Sequence, residues 1–236
     1  GSLNDYRKAT EIWWENLDSQ YPQINSRPIY FVSSNTHSLA NILSGFALSK
    51  QEELIDFIEE ADQKSLHEEW ENIKNQAVPV SQQNFFYYVM KKYQSTPKGK
   101  ALIQEQIAFE RKRGIYRFPS VHAFDIEAQV FDLSMLDPQS IDPRIAPCAQ
   151  PGCAEWEFLR QSDAIIINID YPLGFGAYHL LTKIAENTSQ ILGIYVMGKA
   201  ASLNGVRGDV ILPNVVYDEH SKNTYLFNNP FQAADV

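Results

Sequence analysis

Residues able to do chemistry concentrate at a few places in this chain. The run Gly198-Lys199-Ala200-Ala201-Ser202 sets one cation among small residues. Small side chains let a backbone approach a ligand closely, and successive N–H groups in such a loop can form a nest for an anion. Lys199 adds positive charge to an acidic half, since residues 119–236 hold 6 basic and 14 acidic side chains. A tight strand-to-loop turn with a solvated lysine gives the same pattern. A second polar run, Ser33-Ser34-Asn35-Thr36-His37-Ser38, follows the β-rich stretch 28–32 and precedes an apolar helical pattern at 39–48. That order presents helix N-terminal N–H groups at a strand end, where anionic ligands bind in α/β sheets.

Other reactive side chains read two ways. Asp170 closes an apolar run at a strand's carboxyl end, which suits either a catalytic carboxylate or a turn before Pro172. Arg111-Lys112-Arg113 before Gly114 can hold a phosphate or close a helix against its dipole. Cys148 and Cys153, with four residues between them, fit neither a redox Cys-x-x-Cys nor half a zinc knuckle. They read as a chance pair in a Pro/Gly loop. Spacing suggests no Walker loop, no Ser/His/Asp triad and no His-x-x-x-His metal pair.

The elements that must position these groups follow from periodicity. Tyr6, Ala9, Trp13 and Leu17 fall on one face of a helix over 5–20, and residues 28–32 form a strand. Between 49 and 117 the chain reads as helical. A capping box at Ser49-Lys-Gln-Glu52 opens the first helix, and Pro79 and Pro97 separate it from two more. Strands are expected at 124–133, 163–170, 191–197, 208–217 and 223–227, with a helix at 177–187. The continuous apolar runs at 164–169 and 191–197 mark strands buried on both faces, and strand–helix–strand predicts a right-handed parallel crossover. The expected fold is an α/β/α sandwich with a mostly parallel or mixed sheet and a helical insertion at 49–117. It forms a single α/β domain over 1–236, whose motif-bearing core is 118–236.

The 236 residues are 44% hydrophobic, enough for a full core, so disorder is excluded. A net charge of −9 argues against a nucleic-acid partner, which would need a basic face. No apolar run approaches the ~18 residues of a membrane span. Sparse cysteine and the absence of a basic-then-apolar leader point to the cytoplasm.

The segment from Gly198 to Leu203, followed by Gly208-Asp209-Val210-Ile211-Leu212-Pro213, resembles the nucleoside phosphorylase and nucleosidase superfamily. Those proteins carry a Gly-x-Ala/Cys-Gly-Gly-Leu loop after a strand and then Gly-Asp-hydrophobic-hydrophobic-Leu/Ile-Pro. The nearest flavour is similar to one branch of bacterial AMP nucleosidases, with Gly-Lys-Cys-Gly-Gly-Leu and a later Glu-Gly-Thr-Ser-x-x-Tyr. Glu219-His220-Ser221-Lys222-Asn223-Thr224-Tyr225 echoes that second element, and Gly174-Phe-Gly-Ala-Tyr-His sits where the family has a Gly-rich turn. The likeness covers roughly residues 160–227. Ala201 and Ser202 replace the family's paired glycines, and their β-carbons narrow the space for phosphate or ribose. The family's Met-Glu segment and purine-contacting Asp lie downstream of this region, so the chain is expected to carry only part of the site.

The resemblance implies cleavage of a purine nucleoside or nucleotide N-glycosidic bond. Such a reaction needs an anion or activated water near C1′, a carboxylate on the ribose hydroxyls and an acid for the departing base. In those roles it implies Lys199 with the 198–202 N–H groups for phosphate, helped by Ser33, Ser34, Asn35 and His37. Glu219 would hold the ribose, His220 or His37 would donate the proton, and Tyr225 would stack on the base. No cofactor is expected, although phosphate can serve as co-substrate. The expected assembly is a homo-oligomer with a small-molecule ligand. The rival expectation is a non-catalytic nucleotide-binding, regulatory or oligomerisation module on the same fold.

Overall fold

A computed structural model describes residues 3–60, 64–120, 126–145, 156–170, 175–199, 201–206 and 208–235. Cys148 and Cys153 lie outside the described residues. The chain divides into two units, Gly1–Met197 and Gly198–Val236, so the boundary falls immediately before the Lys199 run.

In the first unit, α1 (Leu3–Gln20) buries Trp13, Trp14 and Leu17. A 3₁₀ turn at Pro22–Ser26 leads into β1 (Ile29–Ser34), then α2 (Ser38–Ser44) and α3 (Phe46–Ser49). The helix expected over 39–48 breaks at Gly45, whose φ of 67° is left-handed. A β-carbon there would lie 2.1 Å from the Ser140 carbonyl oxygen, so a bulkier residue would displace the 137–145 loop. Helices α4 (Gln51–Glu59), α5 (Lys64–Lys74), α6 (Gln82–Gln94) and α7 (Ala101–Arg111) follow. The capping box at Ser49 does not form. Lys50 is the N-cap of α4, and the Ser49 hydroxyl donates instead to the Phe46 carbonyl at 2.7 Å. These helices enclose their own core of Phe46, Leu54, Ile58, Trp70, Phe85 and Phe86, with Trp70 stacked on Phe85.

The chain then forms β2 (Ile115–Phe118), β3 (Ala128–Asp132), α8 (Glu157–Gln161), β4 (Ile165–Asp170), α9 (Phe175–Asn187) and β5 (Ile191–Val196). The sheet order is β2-β3-β4-β1-β5. β4 and β5 both run parallel to β1 and flank it, whereas β3 pairs antiparallel with β4 and with β2. The fold is therefore α/β with a mixed sheet. Helices α1 and α9 pack on the face carrying Ile29, Phe31, Val130, Ile165, Ile167 and Ile169. On the opposite face α2 and α8 pack over Ile115, Phe131 and Ile166.

Two polar clusters pin this layering. At the amino edge of the sheet, Arg27 reaches both oxygens of Asp132, and the Tyr21 hydroxyl donates to the same carboxylate at 2.9 Å. Burial raises the Tyr21 pKa, and the neighbouring Asp132 carboxylate raises it further. Asp142 is fully buried and joins the 137–145 loop to α6 through Tyr87, while Arg144 extends that joint to Ser81 and Asn84.

Two expectations for strands change. β5 is an edge strand with Leu192, Ile194 and Val196 exposed, not a strand buried on both faces. In the second unit only the last three residues of the 208–217 run are in a strand, β6 (Val215–Asp218), since Pro213 lacks the N–H a ladder needs. β6 pairs antiparallel with β7 (Asn223–Leu226), from Val215↔Leu226 to Asp218↔Asn223.

Candidate functional site at the carboxyl edge of the sheet

β1 and β4 are adjacent and parallel, and the helices that follow them pack on opposite faces, α2 on one and α9 on the other. In open α/β sheets such a switch in direction opens a crevice beyond the carboxyl ends of the strands, where ligands bind. Ser33 and Ser34 end β1 at this edge, and Asn35, Thr36 and His37 leave it toward α2. Asp170 ends β4, and its backbone N–H donates to the Glu127 carbonyl at 3.1 Å, which brings the start of β3 to the same edge. Residues 121–125 and 171–174 lie outside the described residues.

The structure brings Ser33, Ser34, Asn35 and His37 together here, but most of their polar groups are occupied. Asn35 Oδ1 accepts from the backbone N–H of His37 at 2.9 Å and of Ser38 at 2.7 Å. The two amides expected to face an anion are thus capped by the side chain beside them, and α2 has only seven residues. The Ser34 hydroxyl donates to Asn168 Oδ1 at 2.9 Å and serves the fold, while the Ser33 carbonyl accepts from the Met197 N–H at 2.8 Å. The His37 side chain is exposed and Asn35 is half-buried.

Beneath this loop lies a polar row that periodicity alone does not reveal. Arg117 of β2 pairs with Gln129 of β3, and Gln129 pairs with Asn168 of β4, so the three share one face at one level. Gln129 and Asn168 are both buried. Arg117 makes a two-point ion pair with Glu110, at 2.5 and 2.8 Å, and that carboxylate is buried at the end of α7. The readable signal was Asn168 itself, a lone amide inside an apolar run, together with Gln129 inside Ala-Gln-Val-Phe. A buried amide in a strand must find hydrogen-bond partners outside the ladder.

The remaining sequence candidates lie in the second unit. Gly198, Lys199, Ala201 and Ser202 are exposed and outside any strand, and Ala200 is outside the described residues. The Ser202 hydroxyl accepts from the Asn204 N–H at 3.2 Å. Asp209 closes a turn by accepting from the Val206 N–H at 2.8 Å. Glu219 and His220 form part of the turn between β6 and β7. Asp218 accepts there from the His220 and Ser221 N–H groups and from the Ser221 hydroxyl, and Lys222 takes a left-handed φ of 57°. The hydrogen bond from Ser221 is the main cause that lowers the Asp218 pKa. The stretch Asp218–Asn223 thus has a local explanation as a hairpin turn, with the Glu219 and His220 side chains exposed and Tyr225 about half-exposed on β7.

Among the described residues no group of three or more His, Cys, Asp or Glu side chains is placed to hold a metal ion. No helix of the described residues is long and apolar enough to cross a membrane.

The sequence model of one family, described as "Family of unknown function (DUF6909)", matches residues 1–236, and the chain belongs to that family. No curated protein and no solved structure matches the chain.

Proposed function

We propose that this DUF6909 protein binds a small molecule of the purine nucleoside or nucleotide class at the carboxyl edge between β1 and β4. The observation that carries the reading is the departure of α2 and α9 to opposite faces from two adjacent parallel strands. Side chains able to meet a polyhydroxylated ligand stand at that edge, namely His37 and Glu127, while the Asn35 amide is engaged with His37 and Ser38. A carboxylate has about four lone-pair sites, and the Thr36 hydroxyl takes one on Glu127 at 3.2 Å, leaving capacity for sugar hydroxyls. The ligand class comes from the resemblance of the 198–213 segment to nucleosidases and phosphorylases.

N-glycosidic cleavage is the second reading, favoured by the same segment. It ranks behind binding because Glu219 and His220 stand exposed on a turn.

Titration calorimetry and thermal unfolding with adenosine, inosine and AMP test both readings. Binding stabilises the fold, by about 2.7 kcal/mol at a hundredfold excess over Kd. The expected result is a raised midpoint with at least one of the three and no free base on chromatography. Release of adenine or hypoxanthine, with or without phosphate, would make cleavage the better reading. No heat and no shift with any of them would end the nucleoside assignment.

A further inference from the structure

We infer that Gln129 and Asn168, with the Glu110–Arg117 pair behind them, are positioning residues that hold the loop after β1 in its ligand-facing conformation. The inference rests on the binding reading above only for what the loop is positioned to do. Residues 35 and 36 are irregular backbone laid against the α2 face of the sheet, so their carbonyl oxygens lack ladder partners and must find others, whereas the His37 carbonyl already accepts from the Asn41 N–H of α2 at 2.8 Å. The sheet supplies them. Asn168 Nδ2 donates to the Asn35 carbonyl at 3.0 Å, and Gln129 Nε2 donates to the Thr36 carbonyl at 2.8 Å. Asn168 Nδ2 also donates to Gln129 Oε1 at 3.0 Å, while Ser34 donates to Asn168 Oδ1. The chain Ser34 to Asn168 to Gln129 to Thr36 runs donor to acceptor in one direction, so its members polarise one another.

The same Thr36 carbonyl receives Arg117 Nη1 at 3.4 Å. Glu110 fixes that guanidinium from α7. A helix of the 49–117 segment is thereby connected, through one buried carboxylate and one arginine, to the loop that carries Asn35 and His37. Three side chains from three strands, Asn168, Gln129 and Arg117, converge on two adjacent peptide carbonyls. Structural need alone would be met by apolar side chains under a regular helix; the amides occur where the backbone is irregular and faces the edge. Fixing Asn35 also fixes its cap on α2, and so the direction in which His37 leaves the loop.

The test uses the full chain and the variants Gln129→Met, which keeps shape but removes the donor to Thr36 and the acceptor for Asn168, and Arg117→Lys, which keeps a charge beside the buried Glu110 while removing the second donor to Thr36. Hydrogen exchange is followed on the 35–39 amides against the ladder amides of β3 and β4. Loss of one such hydrogen bond raises loop opening about fivefold. The expected outcome in Gln129→Met is that increase confined to 35–39, with a smaller one in Arg117→Lys. Unchanged exchange, or an equal rise across β1, β3 and β4, overturns the inference. Adenosine affinity is the second arm, with Kd expected to rise about fivefold in Gln129→Met at constant ladder protection. An unchanged Kd beside a loosened loop refutes the positioning role. If the wild-type protein binds no adenosine, the ligand reading fails, and the exchange result still decides the loop.

Discussion

Asp142 offers the sharpest test of how the helical segment is joined to the sheet. Its side chain is 0% exposed. It accepts from the Tyr87 hydroxyl at 2.5 Å, from the Arg144 backbone N–H at 2.9 Å and from the Arg144 guanidinium at 2.6 Å. Burial opposes its ionisation, but the hydrogen bonds from Arg144 and Tyr87 outweigh that and hold its pKa down at about 2. Replacement by Ala removes a buried carboxylate and leaves the Tyr87 hydroxyl without its acceptor. Breaking a buried charge pair costs about 3–5 kcal/mol. The Arg144 side chain is 36% exposed and regains water, so the expected loss is about 2–4 kcal/mol. With a urea dependence of about 2 kcal/mol per molar, the unfolding midpoint should fall by about 1–2 M at neutral pH. The pH dependence has a fixed sign. Because the folded pKa lies below the ordinary 3.8, the stabilisation is complete above that value and is lost as pH falls toward 2. The shift corresponds to about 2 kcal/mol, so the gap between wild type and Asp142→Ala should narrow by roughly that amount between about pH 5 and about pH 2. A neutral-pH midpoint within about 0.3 M of wild type, or a gap that does not narrow in acid, would refute the reasoning.

Three further outcomes follow from the same structure. Gly45→Ala forces a β-carbon into a left-handed φ and onto the Ser140 carbonyl, and should cost about 2–4 kcal/mol in urea unfolding, whereas a neutral effect would mean that the 137–145 loop yields freely. Phe86→Ala empties a fully buried site in the core of α4–α7 and should cost about 3–5 kcal/mol, measured the same way. Lys199→Ala changes an exposed residue and should leave the urea midpoint within about 0.3 M of wild type, whereas a larger fall would mean that this lysine supports the fold.

The parts of the fold set by periodicity were legible in the sequence. Apolar residues at three- and four-residue spacing located α1, α9 was expected after the turn that follows β4, and the runs at 164–169 and 191–197 located β4 and β5. Position in the sheet was not legible, because an apolar run reads alike in a central strand and at an edge. That is why β5 was expected to be buried while Val196 is 76% exposed. β2, four residues long, is too short to show a period. The Ser49 capping box failed because α3 ends there, and the Ser49 hydroxyl is used on the Phe46 carbonyl before α4 begins. Of the candidate site, Ser33 to His37 were found by their place after a strand. Gln129, Asn168 and the Glu110–Arg117 pair were not, since their meaning depends on which backbone passes over them.

That dependence also bears on what kind of ligand the first unit favours. Among its described residues the carboxyl edge holds one guanidinium close to the loop, Arg117, and Glu110 neutralises it at two points. The first amides of α2 are taken by Asn35, and Glu127 places a carboxylate at the edge. A phosphate brought there would meet negative charge with its natural donors already committed, and screening at physiological salt extends only about 8 Å. Sugar hydroxyls meet the opposite situation, because carboxylates and amide oxygens accept from them without a charge penalty. For the ligand class proposed above, the expectation is that the edge favours the uncharged nucleoside over its phosphate ester. Adenosine should bind the full chain at least as tightly as AMP, and by a margin that shrinks as salt rises from about 0.05 to 0.5 M. AMP binding tighter at low salt would place a free cation at this edge and reverse the argument.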